Sequence, residues 1–228
     1  AMGWVGFNCA LPHEVAVLDH LDDIAESARL IGAVNCVAIR EGKLIGHNTD
    51  GKGFLASLKT VTSPAGKKVV ILGAGGAARA IAVELALAGA AHITIVNRDA
   101  SKAETIAALI NDKTEATGEA QAWSGKFSLP TGTDILINAT SIGLGDPNAA
   151  PPVEMGSLTK ETVVADVIPN PPQTRFLKDA KALGCTTLDG LGMLVNQGVI
   201  GVEIWLGRTL DSAVMAQTLE NIFGTENK

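Results

Sequence analysis

A glycine-rich segment in the middle of the chain constrains the fold more than any other feature of the sequence. The segment "VVILGAGGAARA" follows a β-branched run and places Gly73, Gly75 and Ala78 in the spacing G-x-G-x-x-A. The residues "GAARAIAVELALAGA" are rich in Ala and Leu and include a glycine near their end, which predicts a helix with a C-terminal cap. A strand, a glycine turn and a helix in this order are typical of the start of a dinucleotide-binding unit.

Each position of this motif has a physical reason. Gly73 permits the tight turn, Gly75 lets the backbone approach a pyrophosphate, and Ala78 keeps the helix close to the strand. Gly76 and Ala77 fall in the first helical turn, where free N–H groups and the helix dipole favour phosphate. A glycine turn that only packs the helix on the strand is the alternative interpretation.

Short apolar runs alternate with helical patterns along this part of the chain. Five segments predict strands: "KKVVILG", "HITIVNR", "TDILINAT", "TVVADVI" and "CTTLDG". The alternation predicts an α/β fold, with a Rossmann-type parallel sheet and helices on both faces. The turn "SPAGKK" before the first of these strands marks a domain junction.

The end of the second predicted strand indicates which dinucleotide is bound. Sites for NAD usually place Asp or Glu here, whereas this chain has Asn97 and Arg98, followed by Lys102 one helical turn later. Two cations suit a 2′-phosphate, and arginine can also stack on adenine. Asp99 opposes this assignment, because its carboxylate would repel a phosphate or bind a ribose hydroxyl instead. The sequence predicts NADP, with NAD as the alternative.

Composition points to a small molecule as the partner. A net charge of -6 without a basic cluster argues against nucleic acid. The most apolar region is interrupted by Glu84 and His92, so no membrane span is expected. The widely separated Cys9, Cys36 and Cys185 share no ligand spacing, which predicts a reduced, cytoplasmic protein without a metal site.

Six segments in a fixed order together resemble the shikimate dehydrogenase family, including its shikimate/quinate branch. They are "GAVNCV", "GHNTDGKGF", "GAGGAARA", "NRDASKA", "INATSIGL" and "LDGLGMLVNQG". The resemblance implies a partial α/β substrate domain at residues 1–62, an NADP-binding Rossmann domain at 63–193, and C-terminal helices at 194–228 that complete the substrate domain. It also implies a monomer or homodimer that interconverts 3-dehydroshikimate and shikimate with NADP(H), in aromatic amino-acid biosynthesis.

The same resemblance assigns residues to the site. It implies that Asp50 is the catalytic aspartate and that Asn8, Asn35 and Gln197 are further substrate contacts. It places the nicotinamide among Thr140, Ser141, Val167, Gly190 and Met193.

On the residues alone, other roles for these side chains stay open. The alternative role for Asp50 is a turn residue before Gly51, and that for Asn35 is a buried amide that joins two loops. For Gln197 the alternative is a solvated helix residue, and for Met193 it is a residue of the core.

The chain departs from the family at three positions. The family pattern N-x-T-x-P-x-K begins at Asn8, but Ala10 replaces the threonine and Glu14 replaces the catalytic lysine. Pro169 stands where the family has a tyrosine. About sixty residues that normally precede this pattern, including a Ser-x-Ser pair, are not in the sequence, which predicts an exposed strand edge.

Glu14 is the departure with the largest chemical consequence. A second carboxylate near Asp50 should raise one pKa of the pair, and a protonated acid can donate a proton, as the lysine does. Loss of the lysine predicts weakened activity, with His13 as an alternative donor. The alternative functions are a dehydrogenase for quinate or another cyclic hydroxy acid, and a non-catalytic NADP(H)-binding homologue.

Overall fold

The computed structural model describes residues 3–10 and 12–223, and its N-terminal part forms a small mixed sheet. Its strands are β1 (Gly6–Asn8), β2 (Asp23–Ile24), β3 (Cys36–Arg40) and β4 (Lys43–His47). They lie in the order β1-β3-β4-β2, and β3 pairs with β4 as an antiparallel hairpin. The hairpin turn, Glu41-Gly42, has positive φ at both residues, 50° and 81°, as a tight two-residue turn requires.

Three helical segments accompany this sheet. They are a short 3-10 helix (Ala16–His20) and the helices α1 (Glu26–Ile31) and α2 (Asp50–Leu58). The Asn48 side chain accepts the backbone N–H groups of Asp50, at 3.1 Å, and of Gly51, at 3.3 Å. These bonds satisfy N–H groups that have no partner within the first turn of α2, and they fix where the helix begins.

The larger sheet is parallel throughout. Its strands are β5 (Lys68–Leu72), β6 (His92–Asn97), β7 (Thr117–Ala122), β8 (Ile135–Asn138), β9 (Val163–Asp166) and β10 (Thr186–Leu188). They lie in the order β10-β9-β8-β5-β6-β7, so the strand order reverses beside β5. All five strands that the sequence predicted are present, and the predicted Rossmann-type α/β fold is confirmed.

Helices cover both faces of the parallel sheet. They are α3 (Gly76–Leu87), α4 (Ala100–Lys113) and α5 (Arg175–Ala182). Side chains of β5 alternate between two hydrophobic clusters, with Val69 and Ile71 in one and Val70 and Leu72 in the other. This two-sided burial explains why the strands read as continuous apolar runs.

The predicted helix after the glycine motif is present, and its last turn has the expected cap. Gly89, with φ +90°, donates its N–H to the Ala86 carbonyl, and Ala90 donates to the Leu85 carbonyl. This pair of bonds is the Schellman arrangement, which favours glycine because its φ is positive.

The chain ends in the helices α6 (Leu191–Leu206) and α7 (Ser212–Phe223). Helix α6 packs on α2 and reaches β3, where the Trp205 indole donates to the Val37 carbonyl at 3.0 Å. Since α6 begins at Leu191, the predicted boundary between residues 193 and 194 falls inside a helix. The last five residues of the predicted segment 194–228 lie outside the described residues. The two predicted domain boundaries stay predictions.

The described residues include neither a membrane-spanning helix nor a cluster of metal ligands. None of their helices is long and apolar enough to cross a membrane. Within the same residues, no group of three His, Cys, Asp or Glu side chains is placed to hold a metal ion.

Candidate active site

A cavity of 320 Å³ lies between the small sheet, the loop after β9 and the start of α6. Its lining residues are Asn8, Cys9, Ala10, Glu14, Asn35, Asp50, Val167, Pro169, Gly190, Met193, Leu194 and Gln197. All the residues expected to contact substrate are therefore brought together, with all three positions where the chain departs from the family. We call this space the substrate cavity.

Asp50 is the first residue of α2 and is half-buried at the cavity wall. Burial raises the pKa of its carboxyl above the ordinary value, and a side-chain hydrogen bond with Asn35 partly lowers it. The position of Asp50 is set by Asn48 and by the start of the helix, so it is more than a turn residue before Gly51.

Asn35 is buried at the edge of the cavity, and both ends of its amide bond to Thr49. Its oxygen accepts the Thr49 backbone N–H at 2.8 Å, and its nitrogen donates to the Thr49 hydroxyl at 3.1 Å. The amide thus joins the start of β3 to the start of α2, which supports the structural alternative for this residue. Asn35 also lines the cavity, so the structural and substrate-binding roles are compatible.

Glu14 lies in the substrate cavity with Asp50 and is half-buried. Burial raises the pKa of the Glu14 carboxyl, and the nearby charge of Asp50 raises this pKa further. The segment is held by a 2.8 Å bond from the Val34 N–H to the Glu14 carbonyl. The alternative donor, His13, is exposed and is absent from the cavity lining in the described part of the chain.

Close backbone contacts place α6 against the other side of the cavity. A Cβ atom at Gly53 would lie 2.7 Å from the backbone nitrogen of Gln197 and 2.8 Å from the backbone oxygen of Met193. A Cβ atom at Gly190 would lie 2.6 Å from the Val167 oxygen. Glycine at both positions therefore lets α2 and the loop after β9 approach the residues that line the cavity.

A second, larger cavity of 890 Å³ lies at the carboxyl ends of β5, β6 and β8. Its lining residues are Gly73, Ala74, Gly75, Asn97, Arg98, Lys102, Trp123, Gly125, Lys126, Ala139, Thr140, Ser141, Ile142 and Pro152. We call this space the nucleotide cavity. It lies at the reversal of strand order, where open parallel sheets bind their ligands.

The glycine motif has the geometry that a dinucleotide requires. Gly73 has φ +107°, and a Cβ atom there would lie 2.7 Å from the Ala139 oxygen. A Cβ atom at Gly75 or Gly76 would meet no protein atom within 4 Å, so the space in front of α3 is open. Ala78 is fully buried beneath the turn. These residues fit the pyrophosphate of a dinucleotide at the helix N-terminus.

Asp99 has a structural role besides its charge, and its Oδ2 lies 4.0 Å from the Lys102 ammonium nitrogen. Its side chain accepts the Ser101 N–H at 3.1 Å and the Ser101 hydroxyl at 2.7 Å, as the N-cap of α4. The Ser101 hydroxyl bond is the main reason that the pKa of Asp99 is lowered. Arg98 and Lys102 line the nucleotide cavity, whereas Asp99 is not among its lining residues in the described part of the chain.

The predicted cofactor residues do not all line the nucleotide cavity. Val167, Gly190 and Met193 line the substrate cavity rather than the nucleotide cavity. Gly76 lines a third cavity, of 310 Å³, and Ala77 belongs to the first turn of α3. Sequence reasoning missed further lining residues of both cavities: Ala74, Trp123, Gly125, Lys126, Ala139, Ile142 and Pro152 in the nucleotide cavity, and Cys9 and Leu194 in the substrate cavity. The sequence carries no local signal for Trp123 and Lys126, because they lie far along the chain from the glycine motif.

Comparison with known proteins agrees with this arrangement. Three family models match: the shikimate dehydrogenase substrate binding domain at residues 1–37, shikimate/quinate 5-dehydrogenase at 55–142, and the shikimate 5′-dehydrogenase C-terminal domain at 190–220. The NADP(+) shikimate dehydrogenase of Methanococcus aeolicus is 41% identical over 228 residues, covering 97% of this chain and 80% of the relative. The chain belongs to the shikimate dehydrogenase family. The predicted family is therefore confirmed.

Solved structures include a much more similar member of this family. The ligand-free 5-ketofructose reductase of Gluconobacter sp. strain CHM43 is 98% identical, with a TM-score of 0.96, over 97% of this chain and 80% of that one. A shikimate dehydrogenase in complex with NADP+ is 39% identical, with a TM-score of 0.89, over 97% of this chain and 78% of that one. The names of these two similar structures therefore specify different substrates, 5-ketofructose and shikimate.

Proposed function

We propose that the chain is an NADPH-dependent reductase of 5-ketofructose that uses the hydride transfer of the shikimate dehydrogenase family. The charge of the substrate cavity carries the proposal. Among the described residues its lining includes two carboxylates, Glu14 and Asp50, and no lysine, arginine or histidine. The carboxylate of shikimate would be repelled there. 5-Ketofructose, the substrate named for the 98% identical structure, has hydroxyl groups that donate to carboxylates and ketone oxygens that accept from amides or a protonated carboxyl.

The proton chemistry of the reaction fits the pair of carboxylates. When bound, NADPH supplies the hydride that a ketone carbon accepts. The carbonyl oxygen must gain a proton, so one ketone, one NADPH and one proton give one secondary alcohol and NADP+. Glu14 supplies that proton, because its raised pKa keeps more of the carboxyl protonated than in an ordinary glutamate. Solvent then reprotonates Glu14.

The other cavity residues orient the substrate. Asp50 accepts a hydrogen bond from a substrate hydroxyl, and Gln197 presents a half-buried amide from α6. Asn35 holds the start of α2 through Thr49 and so keeps Asp50 in place.

The nucleotide cavity supports NADP as the cofactor. Arg98 and Lys102 offer two cations for a 2′-phosphate, and the open space before Gly75 and Gly76 accepts the pyrophosphate. Thr140 and Ser141 lie on the side of the cavity that leads from β8. The alternative, NAD, would use the carboxylate of Asp99 after β6, one oxygen of which accepts hydrogen bonds from Ser101 as the N-cap of α4.

Oxidation of shikimate is a second candidate function. It is favoured by the presence of Asp50, Asn35 and Gln197 in one cavity, as the family resemblance implied. Because Glu14 stands at the lysine position, we expect this reaction to be slower than the reduction of 5-ketofructose. We further propose a cytoplasmic enzyme, monomeric or homodimeric, for which three unpaired cysteines are typical.

The test is a direct comparison of substrates by the absorbance of NADPH. Purified protein should oxidise NADPH with 5-ketofructose faster than with 3-dehydroshikimate, and should reduce NADP+ only slowly with shikimate or quinate. Asp50→Asn should lower turnover while NADPH binding by calorimetry is retained, and the exposed Asp19→Asn should behave as wild type. Faster turnover of shikimate would overturn the proposed substrate. Bound NADPH without turnover of any of these compounds would favour a non-catalytic homologue.

A further inference from the structure

The turn after β7 forms one wall of the nucleotide cavity and is fixed at both ends. At its start, the backbone N–H of Trp123 donates to the Asn97 carbonyl at 2.9 Å. This bond places Trp123 beside the residue that precedes Arg98. At its end, the Phe127 N–H donates to the Pro152 carbonyl at 2.8 Å, and Phe127 bridges to Val153. The residues between these anchors are held over the cavity.

Trp123 offers an aromatic surface with an unused donor. Its side chain is half-buried, lines the nucleotide cavity and packs against the hydrophobic cluster on that face of the sheet. The indole Nε1 is buried and has no hydrogen-bond partner among the described residues. Because this nitrogen is buried, a ligand in the cavity can reach the ring of Trp123 but not its N–H. A base can stack on such a ring whatever its identity.

Lys126 adds a third cation to the same cavity. It forms an ion pair of 3.9 Å with Glu154, and the two side chains are 71% and 53% exposed. Pairs this exposed contribute little, so the ammonium group is available to another anion. With Arg98 and Lys102 it gives a lining of three cations and no carboxylate in the described part of the chain. The nucleotide cavity is therefore opposite in charge to the substrate cavity.

We infer that Trp123 and Lys126 complete the site for the 2′-phosphorylated adenosine end of the dinucleotide. Trp123 stacks on the adenine, and Lys126 binds the 2′-phosphate from the side opposite Arg98 and Lys102. Gly125, with φ +65° and no atom within 4 Å of a Cβ atom, gives the bend that places both side chains at the cavity. The inference rests on the proposed NADPH function and adds two residues that set cofactor specificity.

Binding without any substrate tests the inference apart from the proposed reaction. The probes are 2′,5′-ADP, 5′-AMP, NADPH and NADH, each titrated calorimetrically. Lys126→Gln should weaken 2′,5′-ADP and NADPH by about three- to tenfold and leave 5′-AMP and NADH unchanged. Trp123→Ala should weaken all four by about tenfold, and Trp123→Phe should recover most of the loss. Lys113→Gln, an exposed lysine in the last turn of α4, is the matched control.

Fluorescence gives a second readout that loss of packing alone would not reproduce. 2′,5′-ADP should quench the tryptophan emission of wild type and of Trp205→Phe, but not of Trp123→Phe. Unchanged affinities in both Lys126→Gln and Trp123→Ala would overturn the inference, as would equal quenching in Trp123→Phe. If 2′,5′-ADP binding follows these expectations but 5-ketofructose is not reduced, the proposed substrate is wrong and the adenosine site stands.

Discussion

The Asn138 side chain donates a hydrogen bond of 3.0 Å to the Asp166 carboxylate, and both residues are buried where their strands end. Asp166 also accepts the Ile168 N–H at 3.1 Å and the Thr174 hydroxyl at 2.8 Å. The Asn138 oxygen accepts the Thr140 hydroxyl at 2.7 Å. This network joins the loop that lines the nucleotide cavity to the loop that lines the substrate cavity.

Removal of the central carboxylate should therefore destabilise the protein. Asp166→Ala leaves the three donors of Asn138, Ile168 and Thr174 without an acceptor, and we expect it to lower the free energy of unfolding by about 3 kcal/mol. Urea denaturation measures this change. Asp179→Ala removes an exposed partner of Arg175 and should cost less than about 1 kcal/mol. Equal losses in the two variants would contradict the importance of the network.

The same carboxylate should make stability depend on pH. Burial raises the pKa of Asp166 to about 6, although its hydrogen bonds oppose the shift. The folded state therefore holds the proton more tightly than the unfolded state. The stabilisation is complete below the ordinary pKa of 3.8 and is lost as pH rises through about 6.

Asp166→Asn cannot titrate and isolates this contribution. Relative to that variant, the wild-type free energy of unfolding should fall by about 2 to 3 kcal/mol between pH ~4 and pH ~7. Denaturation at a series of pH values measures the difference. Parallel curves for the two proteins would show that Asp166 has an ordinary pKa.

Gly53 should be essential for the contact between α2 and α6. A Cβ atom there would lie 2.7 Å from the backbone nitrogen of Gln197, so Gly53→Ala must push α6 away. We expect this change to lower the free energy of unfolding by about 1 to 3 kcal/mol. Because Gln197 lines the substrate cavity, KM for 5-ketofructose should rise, while the affinity for 2′,5′-ADP, which has no nicotinamide, should be unchanged. Gly156→Ala is the control, since its Cβ atom would have only Glu154 nearby, at 3.8 Å.

The large sheet was more predictable from the sequence than the small one, because its strands are buried on both faces. β7, with the sequence "TGEAQA", was missed since it is a polar edge strand that pairs with β6. The strands β1 to β4 have two to five residues each, too few to show a period. Their pairing depends on contacts between distant parts of the chain.

Some residues of the candidate site were also predictable from the sequence, and others were not. The glycine motif and Arg98 are local signals, because strand, turn and helix are consecutive in the chain. Trp123 and Lys126 have no such signal, since their turn is brought to the cavity by the backbone bond from Trp123 to Asn97 and by the pairing of Phe127 with Val153. The charge of the substrate cavity also depends on packing, which brings Glu14 and Asp50 from different segments to one cavity.

Cofactor preference should depend on Arg98. Arg98→Ala removes a guanidinium from the nucleotide cavity, and we expect NADPH affinity to fall by about tenfold or more with little change for NADH. Calorimetry with both cofactors measures the selectivity. Arg175→Ala removes an arginine that is not among the lining residues and should leave both affinities unchanged. Equal affinity of the wild type for NADPH and NADH would reject the 2′-phosphate assignment.

Glu14 should give the reduction of 5-ketofructose a pH dependence of its own. Burial and the charge of Asp50 raise the pKa of Glu14, so the acid form that donates the proton persists to higher pH than in an ordinary glutamate. The rate should fall as pH rises through that raised pKa. Glu14→Gln should lower kcat by about 100-fold or more and remove this limb of the pH profile, because a general acid contributes about that factor. The exposed Glu104→Gln should keep the wild-type profile.

A lysine at the same position separates proton donation from charge. Glu14→Lys restores a donor and reverses the charge of the cavity, so shikimate oxidation should rise by about tenfold or more. Reduction of the uncharged 5-ketofructose should gain less, because its binding does not require a cation. A rise for shikimate with no change in the pH profile of Glu14→Gln would show that Glu14 acts only through its charge. A loss of both activities in Glu14→Lys, with NADPH binding intact, would instead identify the Glu14 carboxyl itself as a required contact of the substrate.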